Sequence, residues 1–167
     1  TTVKGQAVAS LSTDDSEEFS ISELVKRVNI LMKHELKNAY IYLNILMKVD
    51  ENTVIDGNVN ILVQVVNNII SNAIQAYDGK HDQNIQFEIS QKENNMIFSI
   101  TDFAGGLSKE VQDRLFKEMV TTKGKNGTGL GLYMSYSNIK AHFGGDITYK
   151  TEEGKGTTFN IVIPIKK

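Results

Sequence analysis

The spacing of apolar residues predicts two long helices in the first half of the chain. Residues 21–37 carry apolar side chains at helical intervals, and Ser20 with Glu23 has the spacing of a capping box. A second apolar arc begins after Asn58, which is a suitable N-cap, and ends near Tyr77. Each predicted helix therefore has one apolar face that must pack against other elements.

Alternation of apolar and polar residues predicts strands after each of these helices. It appears at residues 41–45 and in two later segments, 84–91 and 96–102, which a short polar loop joins into a hairpin. Residues 147–151 and 158–165 form a second predicted hairpin at the end of the chain. Strands joined in this way are antiparallel neighbours.

The remaining segments indicate the fold class. A short helix is predicted at residues 109–116, and a glycine-rich stretch at 123–131 leads into a helix that stops at Gly144. Strands grouped in hairpins, with the helices collected on one side, favour an α/β (α+β) two-layer sandwich over a doubly wound parallel sheet.

The composition fits one domain of ordinary size. The chain has 167 residues, of which 40% are hydrophobic. Residues 1–18 are rich in Thr, Ser, Asp and Glu and lack a lasting apolar period, so we interpret them as a linker or disordered leader. Residues 19–167 form the predicted domain.

Charge and cysteine content exclude several classes of function. The 18 Lys and Arg residues against 20 Asp and Glu give a net charge of −2, which does not favour nucleic acid or a membrane surface as a partner. The absence of cysteine excludes disulfides, thiol nucleophiles and thiolate zinc sites. The sequence has no apolar run of about 18 residues, so no membrane segment is predicted.

Two asparagines lie one turn apart on the second predicted helix. Asn68 and Asn72 point to the same side, at the margin between the apolar and polar arcs. An amide oxygen there could coordinate a hard cation such as Mg²⁺ beside phosphates. The alternative is that both are solvated asparagines without a ligand.

An aspartate followed by glycines ends the strand predicted at residues 96–102. The carboxylate of Asp102 stands beside a backbone that Gly105 and Gly106 allow to turn sharply, and it could accept a hydrogen bond from an exocyclic amine in a pocket. The alternative is an ordinary turn, in which Asp before glycine is frequent.

A glycine-rich run precedes the last predicted helix. Gly127, Gly129 and Gly131, interleaved with Thr128 and Leu130, would leave backbone N–H groups and the positive end of the helix dipole accessible to a phosphate. The run lacks the Gly-Lys-Ser/Thr ending of a P-loop and does not follow a first strand. Walker and dinucleotide-binding sites are therefore disfavoured.

These motifs follow one another along the chain. Their order is Asn68-Ile-Ile-Ser-Asn72-Ala, Asp102-Phe-Ala-Gly105-Gly106, Phe116, Thr121-Thr122-Lys123, Gly127-Thr-Gly129-Leu-Gly131-Leu and Gly154-Lys-Gly156-Thr157. From about residue 19 to residue 164, the sequence resembles the catalytic, ATP-binding domain of sensor histidine kinases, a branch of the GHKL ATPase superfamily. The resemblance implies a Bergerat fold, which is a mixed, mostly antiparallel sheet with helices on one face, and ATP held between helices and a mobile lid.

The resemblance also implies roles for individual residues. Asn72 is the expected Mg²⁺ ligand with Asn68 assisting it, and Asp102 is the expected partner of the adenine amino group, supported by Thr157. Lys123 would approach the phosphates and, with the two asparagines, complete the catalytic set.

Further nucleotide contacts are expected from the backbone around two glycine-rich turns. These contacts involve Gly105, Gly106, Gly127, Thr128, Gly129, Leu130 and Gly131. The lid is expected at residues 104–128, where Phe116 would help to close it and bound ATP would order it.

At two positions the sequence departs from the pattern of the family that it resembles. Ala104 replaces the first glycine of Asp-x-Gly-x-Gly, and a positive φ at that position would cost alanine about 1 kcal/mol. Gln75 stands where many relatives carry a basic side chain toward the phosphates, so Lys123 would supply more of that charge.

His34 begins a His-Glu-Leu-Lys-Asn segment that looks like the phosphoacceptor box of histidine kinases. In the family, that histidine belongs to a separate dimerisation hairpin, whereas one helix and one strand already fill the interval between His34 and Asn72. We therefore interpret His34 as a surface or packing residue. His81 and His142 lack a second ligand-type residue at metal spacing and have the same interpretation.

The identity of residue 68 favours phosphoryl transfer over hydrolysis. Relatives that hydrolyse ATP carry a glutamate there as general base, and the amide of Asn68 cannot accept that proton. We expect a protein-histidine kinase domain that passes the γ-phosphoryl group of Mg·ATP to a histidine on a separate dimerisation domain, with a response regulator as the next partner.

The expected setting is the cytoplasmic portion of a two-component sensor, and the isolated domain is expected to be a monomer. Two alternatives stay open. Ala104 and Gln75 are compatible with a non-catalytic nucleotide-sensing module, and a protein-serine kinase of the anti-sigma-factor type shares the fold and the motifs.

Overall fold

The computed structural model describes residues 17–120 and 132–165. In chain order, the elements are β1 (Glu18–Ser20), α1 (Ile21–Ala39), β2 (Ile41–Met47), β3 (Val54–Asp56), α2 (Val59–Ala76), β4 (Gln83–Lys92), β5 (Asn95–Asp102), α3 (Lys109–Val120), α4 (Leu132–Phe143), β6 (Asp146–Glu152) and β7 (Gly156–Pro164). Within these residues, no helix combines the length and the apolar character that crossing a membrane requires.

Both predicted N-caps stabilise the first turns of the long helices. The Ser20 hydroxyl accepts a hydrogen bond from the Glu23 N–H (3.1 Å), and the Asn58 side chain accepts one from the Asn60 N–H (2.8 Å). α1 ends at Tyr40, whose φ of 57° is the left-handed conformation common at helix C-termini. The predictions for these two helices are confirmed.

The main sheet has the strand order β2-β4-β5-β7-β6. β2 and β4 pair in parallel, because α2 crosses over between them, and every other neighbouring pair is antiparallel. The predicted sandwich with a mixed, mostly antiparallel sheet is confirmed, and so are both hairpins.

A two-stranded ribbon was not predicted from the sequence. β1 and β3 pair antiparallel, with Phe19 opposite Ile55. Each strand has only 3 residues, which is too few for an alternating pattern to stand out. Two residues of the predicted leader take part in this region, because the Glu17 carbonyl accepts a hydrogen bond from the Gly57 N–H (3.0 Å) and Glu18 begins β1. The division into a leader and a domain stays a prediction, since residues 1–16 lie outside the description.

The core lies between one face of the main sheet and the helices. Alternate residues of the central strands and the apolar faces of α1 and α2 are buried there, including Leu24, Val28, Leu62, Ile69, Ile70, Ile85, Phe87, Ile89, Met96, Phe98, Ile100 and Ile161. The opposite face of the sheet is polar, with the Ser99 hydroxyl bonded to Asn160 (2.6 Å) and Thr101 to Thr158 (2.7 Å). The apolar side of the sheet is thus the side that α1 and α2 cover.

One amide oxygen in the helical layer has no hydrogen-bond partner among the described residues. This atom, Asn67 Oδ1 on α2, is buried. Polar neighbours on the same face are bonded to α1, since Asn60 accepts a hydrogen bond from Arg27 (2.8 Å) and Ser71 donates one to Glu35 (3.0 Å). A buried acceptor without a partner lowers stability.

We expect Asn67→Leu to raise the free energy of unfolding by about 1–2 kcal/mol, because it removes the desolvated acceptor and keeps a side chain of similar size. Urea denaturation followed by circular dichroism measures the change. Asn60→Leu is the matched control on the same helix: it removes an amide that is exposed and bonded, so it should not stabilise the protein. Equal stability of Asn67→Leu and the unmodified protein would contradict the expectation.

Candidate functional site

A cavity of about 230 Å³ lies between α2, the end of β5 and the start of β7. The residues that line it are Ile69, Asn72, Ala73, Gln75, Ala76, Ile100, Asp102, Leu107, Thr157 and Phe159. Most of the wall is apolar, and polar side chains from three elements reach it. The structure thus brings together Asn72, Asp102 and Thr157, which lie far apart in the sequence.

Asp102 is a buried carboxylate at the end of β5. It pairs with Thr157 in the β5–β7 ladder and is only 6% exposed. The Ala104 N–H donates a hydrogen bond to Asp102 Oδ1 (3.1 Å). Burial raises the pKa of Asp102 above its ordinary value, and hydrogen bonds from the backbone N–H groups of Ala104 and Thr157 offset only part of this rise. A buried acceptor of this kind favours a ligand that brings a hydrogen-bond donor.

The turn after β5 packs closely against the turn between β6 and β7. The Gly105 carbonyl accepts a hydrogen bond from the Gly154 N–H (2.7 Å). Gly106 has a φ of 79°, and a Cβ there would lie 2.3 Å from the Glu152 carbonyl oxygen, so this position requires glycine. Ala104 does not have a positive φ. The strain considered for alanine at that position therefore does not arise.

Thr157 belongs to a small hydrogen-bond network beside the cavity. Its Oγ1 lies 2.9 Å from Thr151 Oγ1, which also accepts a hydrogen bond from the Leu107 N–H (2.8 Å). Because Leu107 lines the cavity, this network connects one wall of the cavity to β6. Thr151 and Leu107 were missed in the sequence analysis, since only the β6–β7 register places Thr151 opposite Thr157.

Asn68 and Asn72 are both half-buried on α2 and have different surroundings. The Asn68 amide nitrogen donates a hydrogen bond to Ser135 Oγ on α4 (3.0 Å), and Ser135 is only 5% exposed. Asn72 lines the cavity. Asn68 therefore contacts α4, the helix that follows the glycine-rich segment, and Asn72, one turn later on α2, faces the cavity.

Tyr77 was not among the predicted site residues, yet its hydroxyl contacts the first residue of the turn after β5. This hydroxyl accepts a hydrogen bond from the Phe103 N–H (2.8 Å) and donates one to the Asn84 carbonyl. Burial, and to a smaller extent the charge of Asp102, raises the pKa of Tyr77. A tyrosine at the end of an apolar arc is typical of a core residue, so the sequence pattern did not single it out.

Several predicted site residues lie outside the description. Lys123 and residues 127–131 are not described, and neither is the side chain of Phe116. α3 ends at Val120, beyond its predicted end at residue 116. The lid expected at residues 104–128 is thus described only in its first part and stays a prediction.

The histidines occupy exposed positions. His34 is exposed on α1, where Asn38 Nδ2 lies 3.0 Å from its Nε2. His81 packs against Tyr40 with 4.6 Å between ring centroids and 45° between ring planes, and His142 is exposed near the end of α4. His34 is therefore a surface residue, as expected. In the described ranges, no three His, Asp or Glu side chains converge to hold a metal ion.

Comparisons with known proteins identify sequence relatives. Residues 57–167 match the family described as histidine kinase-, DNA gyrase B-, and HSP90-like ATPase. Sporulation kinase E of Bacillus subtilis is 39% identical over 110 residues, which are 65% of this chain and 14% of that protein. Sensor protein SrrB of Staphylococcus aureus is 32% identical over 160 residues, which are 90% of this chain and 27% of that protein. The chain thus spans less than a third of the length of either relative.

Solved structures share the fold. The catalytic domain of histidine kinase ThkA matches with a TM-score of 0.73 at 23% identity, over 89% of this chain and 95% of that one. ThkA in complex with the response regulator TrrA matches with a TM-score of 0.72 at 22% identity, over 90% of this chain and 42% of that one. At these identities, the likeness concerns the fold alone.

Proposed function

The chain belongs to the family of histidine kinase-, DNA gyrase B- and HSP90-like ATPases, and we propose that it binds Mg·ATP and transfers the γ-phosphoryl group to a histidine on a separate dimerisation domain. The family and the fold predicted from the sequence are confirmed, and the chain is a catalytic domain of the histidine kinase type. This chain matches only a small part of its much longer relatives. The histidine acceptor and the reaction of the whole protein are therefore proposed.

The observation that carries the proposal is the cavity that Asn72 and Asp102 share. Its apolar wall suits the faces of a purine ring, and the buried carboxylate of Asp102 can accept a hydrogen bond from the adenine amino group. Thr157 stands beside Asp102 in the neighbouring strand and would support this contact through water. We therefore propose that Asp102 recognises adenine.

The amide oxygens of Asn72 and Asn68 suit a Mg²⁺ ion that is bound to a nucleotide. That ion takes most of its ligands from phosphates and water and needs few from the protein. Asn72 offers an amide oxygen at the cavity. Asn68 turns its amide nitrogen toward Ser135, so its oxygen lies on the other edge of the carboxamide. Bound Mg²⁺ would neutralise charge on the β- and γ-phosphates. We propose Asn72 as the ligand and Asn68 as its support.

The amide at position 68 favours transfer of the γ-phosphoryl group over its hydrolysis by water. Asn68 cannot take a proton from water near neutral pH, so this chain lacks the general base that a glutamate would provide there. Phosphoryl transfer requires mainly positioning and charge neutralisation, to which Lys123 and residues 127–131 would contribute. An imidazole from another domain is a nucleophile that needs no such base.

Two partners and a location follow from this reaction. We propose the dimerisation domain of the same protein as the direct acceptor and a response regulator as the next one. The complex of ThkA with TrrA supports a response regulator, because ThkA shares the fold. Since the reaction consumes ATP, we place the domain in the cytoplasmic portion of a sensor.

Mixing the chain with Mg²⁺, [γ-³²P]ATP and the dimerisation hairpin of the same full-length protein tests the proposal. We expect label on the hairpin that acid removes and alkali does not, and no label on a hairpin whose histidine has been replaced. Acid-stable label would indicate a serine kinase. Tight ATP binding without any labelling would indicate a nucleotide-sensing module. Either result would overturn the proposed reaction.

A further inference from the structure

Tyr77 occupies the point at which β4 and β5 separate. In the ladder between these strands, Ile85 pairs with Asp102, and the next step of the same register would pair Asn84 with Phe103. The ladder ends before that step. The Tyr77 hydroxyl lies there instead, where it donates a hydrogen bond to the Asn84 carbonyl and accepts one from the Phe103 N–H (2.8 Å).

One hydroxyl thus replaces a direct bond between two backbone groups. In an antiparallel ladder, every second opposed pair bonds directly through its N–H and C=O groups. The Asn84 carbonyl and the Phe103 N–H, which meet at one hydroxyl, are the groups that would bond in this way. An oxygen atom inserted between them satisfies both groups and holds them farther apart than a single direct hydrogen bond would allow. The chain can therefore leave β5 directly after Asp102.

The carboxylate of Asp102 depends on the course of the chain after this point. Ala104, whose N–H donates to Asp102 Oδ1, directly follows Phe103, so a shift of Phe103 toward β4 would move that donor. Tyr77 itself is well anchored, because it caps the C-terminus of α2 and is only 2% exposed. It does not line the cavity.

We infer that Tyr77 is a positioning residue for adenine recognition, whose hydroxyl holds the Phe103 backbone away from β4 and thereby fixes the carboxylate of Asp102 at the cavity. The inference rests on the proposed function, in which Asp102 accepts the adenine amino group. Tyr77 acts through the backbone and does not touch the nucleotide. Burial raises the pKa of Tyr77, which keeps its hydroxyl protonated and able to donate at neutral pH.

Tyr77→Phe tests the inference, because it keeps the ring and removes only the hydroxyl. We expect the affinity for Mg·ATP to fall about tenfold, and the preference for ATP over GTP to fall with it, because a displaced carboxylate distinguishes the two bases less well. Phosphoryl transfer at saturating ATP should be unchanged. Isothermal titration calorimetry with both nucleotides measures the affinities. Tyr136→Phe is the matched control, since Tyr136 is half-buried on α4 and does not line the cavity.

A second measurement needs no nucleotide. Amide hydrogen exchange of Phe103 and Ala104, followed by NMR, should be faster in Tyr77→Phe than in the unmodified protein and unchanged in Tyr136→Phe. A Tyr77→Phe protein that keeps the full preference for ATP would overturn the inference, even if it were less stable. If the unmodified protein itself does not prefer ATP, the proposed role of Asp102 fails, and the Ala104 exchange rate then decides whether Tyr77 positions that carboxylate.

Discussion

Replacing Asn72 with alanine is expected to lower phosphoryl transfer by more than about 100-fold, since even changes behind a metal ligand commonly lower metal affinity or activity 10- to 100-fold. The gain in ATP affinity that Mg²⁺ provides should disappear as well. The physical reason is that Asn72 is the only amide-bearing residue of α2 that both lines the cavity and is half-buried there. The fold should persist, because the lost side chain contributes little apolar area to the core.

Nucleotide titrations in Mg²⁺ and in EDTA check this expectation, with circular dichroism and melting curves as evidence that the variant is folded. Asn60→Ala is the control, because Asn60 lies on the same helix and bonds to Arg27 away from the cavity. An Asn72→Ala protein whose ATP affinity still rises in Mg²⁺ and whose transfer is normal would refute the assignment of the ligand.

The second large effect is expected for Asp102→Asn, which should weaken ATP binding about 10- to 150-fold, the equivalent of about 1.5–3 kcal/mol for a hydrogen bond to a charged group. GTP should lose much less, because an amide can donate to the carbonyl that guanine carries where adenine has its amino group. Binding of both nucleotides to Asp102→Asn and to the unmodified protein measures the difference. Asp56→Asn, at an exposed carboxylate on β3, is the control. Equal loss for the two nucleotides would exclude the adenine role.

The same substitution is expected to stabilise the protein at neutral pH. Burial raises the pKa of Asp102 above the ordinary value of 3.8, so the folded state binds this proton more tightly than the unfolded chain. By linkage, the stability from this group is fully present below pH 3.8 and is lost as pH rises through the raised pKa of the folded state. An asparagine has no charge to desolvate and avoids this loss.

Urea denaturation at neutral and at acidic pH measures this effect. The advantage of Asp102→Asn over the unmodified protein should be largest near pH 7 and should shrink toward pH 4. Asp56→Asn, at an exposed carboxylate, is measured alongside as the control for the substitution itself. An advantage that is absent at pH 7, or that grows in acid, would show that the burial of Asp102 does not oppose folding. Together with the loss of ATP affinity, the expected result would mark Asp102 as a residue kept for binding at the expense of stability.

The helices, the hairpins and the kind of ligand could be predicted from the sequence, because each rests on residues close together in the chain. The caps at Ser20 and Asn58 bond to N–H groups three and two residues away. The strands of each hairpin alternate with a period that a short window contains. The motif order that indicated an ATP-binding domain is likewise a linear property. The ribbon of β1 and β3 was missed because its strands are too short to show a period.

Other features depend on which residues lie opposite each other in space. The parallel pairing of β2 with β4 follows from the crossover of α2, and the contact of Thr151 with Thr157 follows from the β6–β7 register. The role inferred for the Tyr77 hydroxyl depends on the place where β4 and β5 separate. No pattern of apolar and polar residues in the sequence predicts that place. The conformation of Ala104 was also open until its φ was known.

The sequence by itself determined the helices, the hairpins, the family and the set of residues able to carry the chemistry, because these depend on side-chain type and short-range spacing. Only the tertiary structure decided that Asn72, Asp102 and Thr157 line one cavity and that Asn68 contacts α4. The physical reason is that the apolar arc of α2 packs on β4 and β5 in one orientation, and this orientation sets which polar residues at its margin point into the cavity.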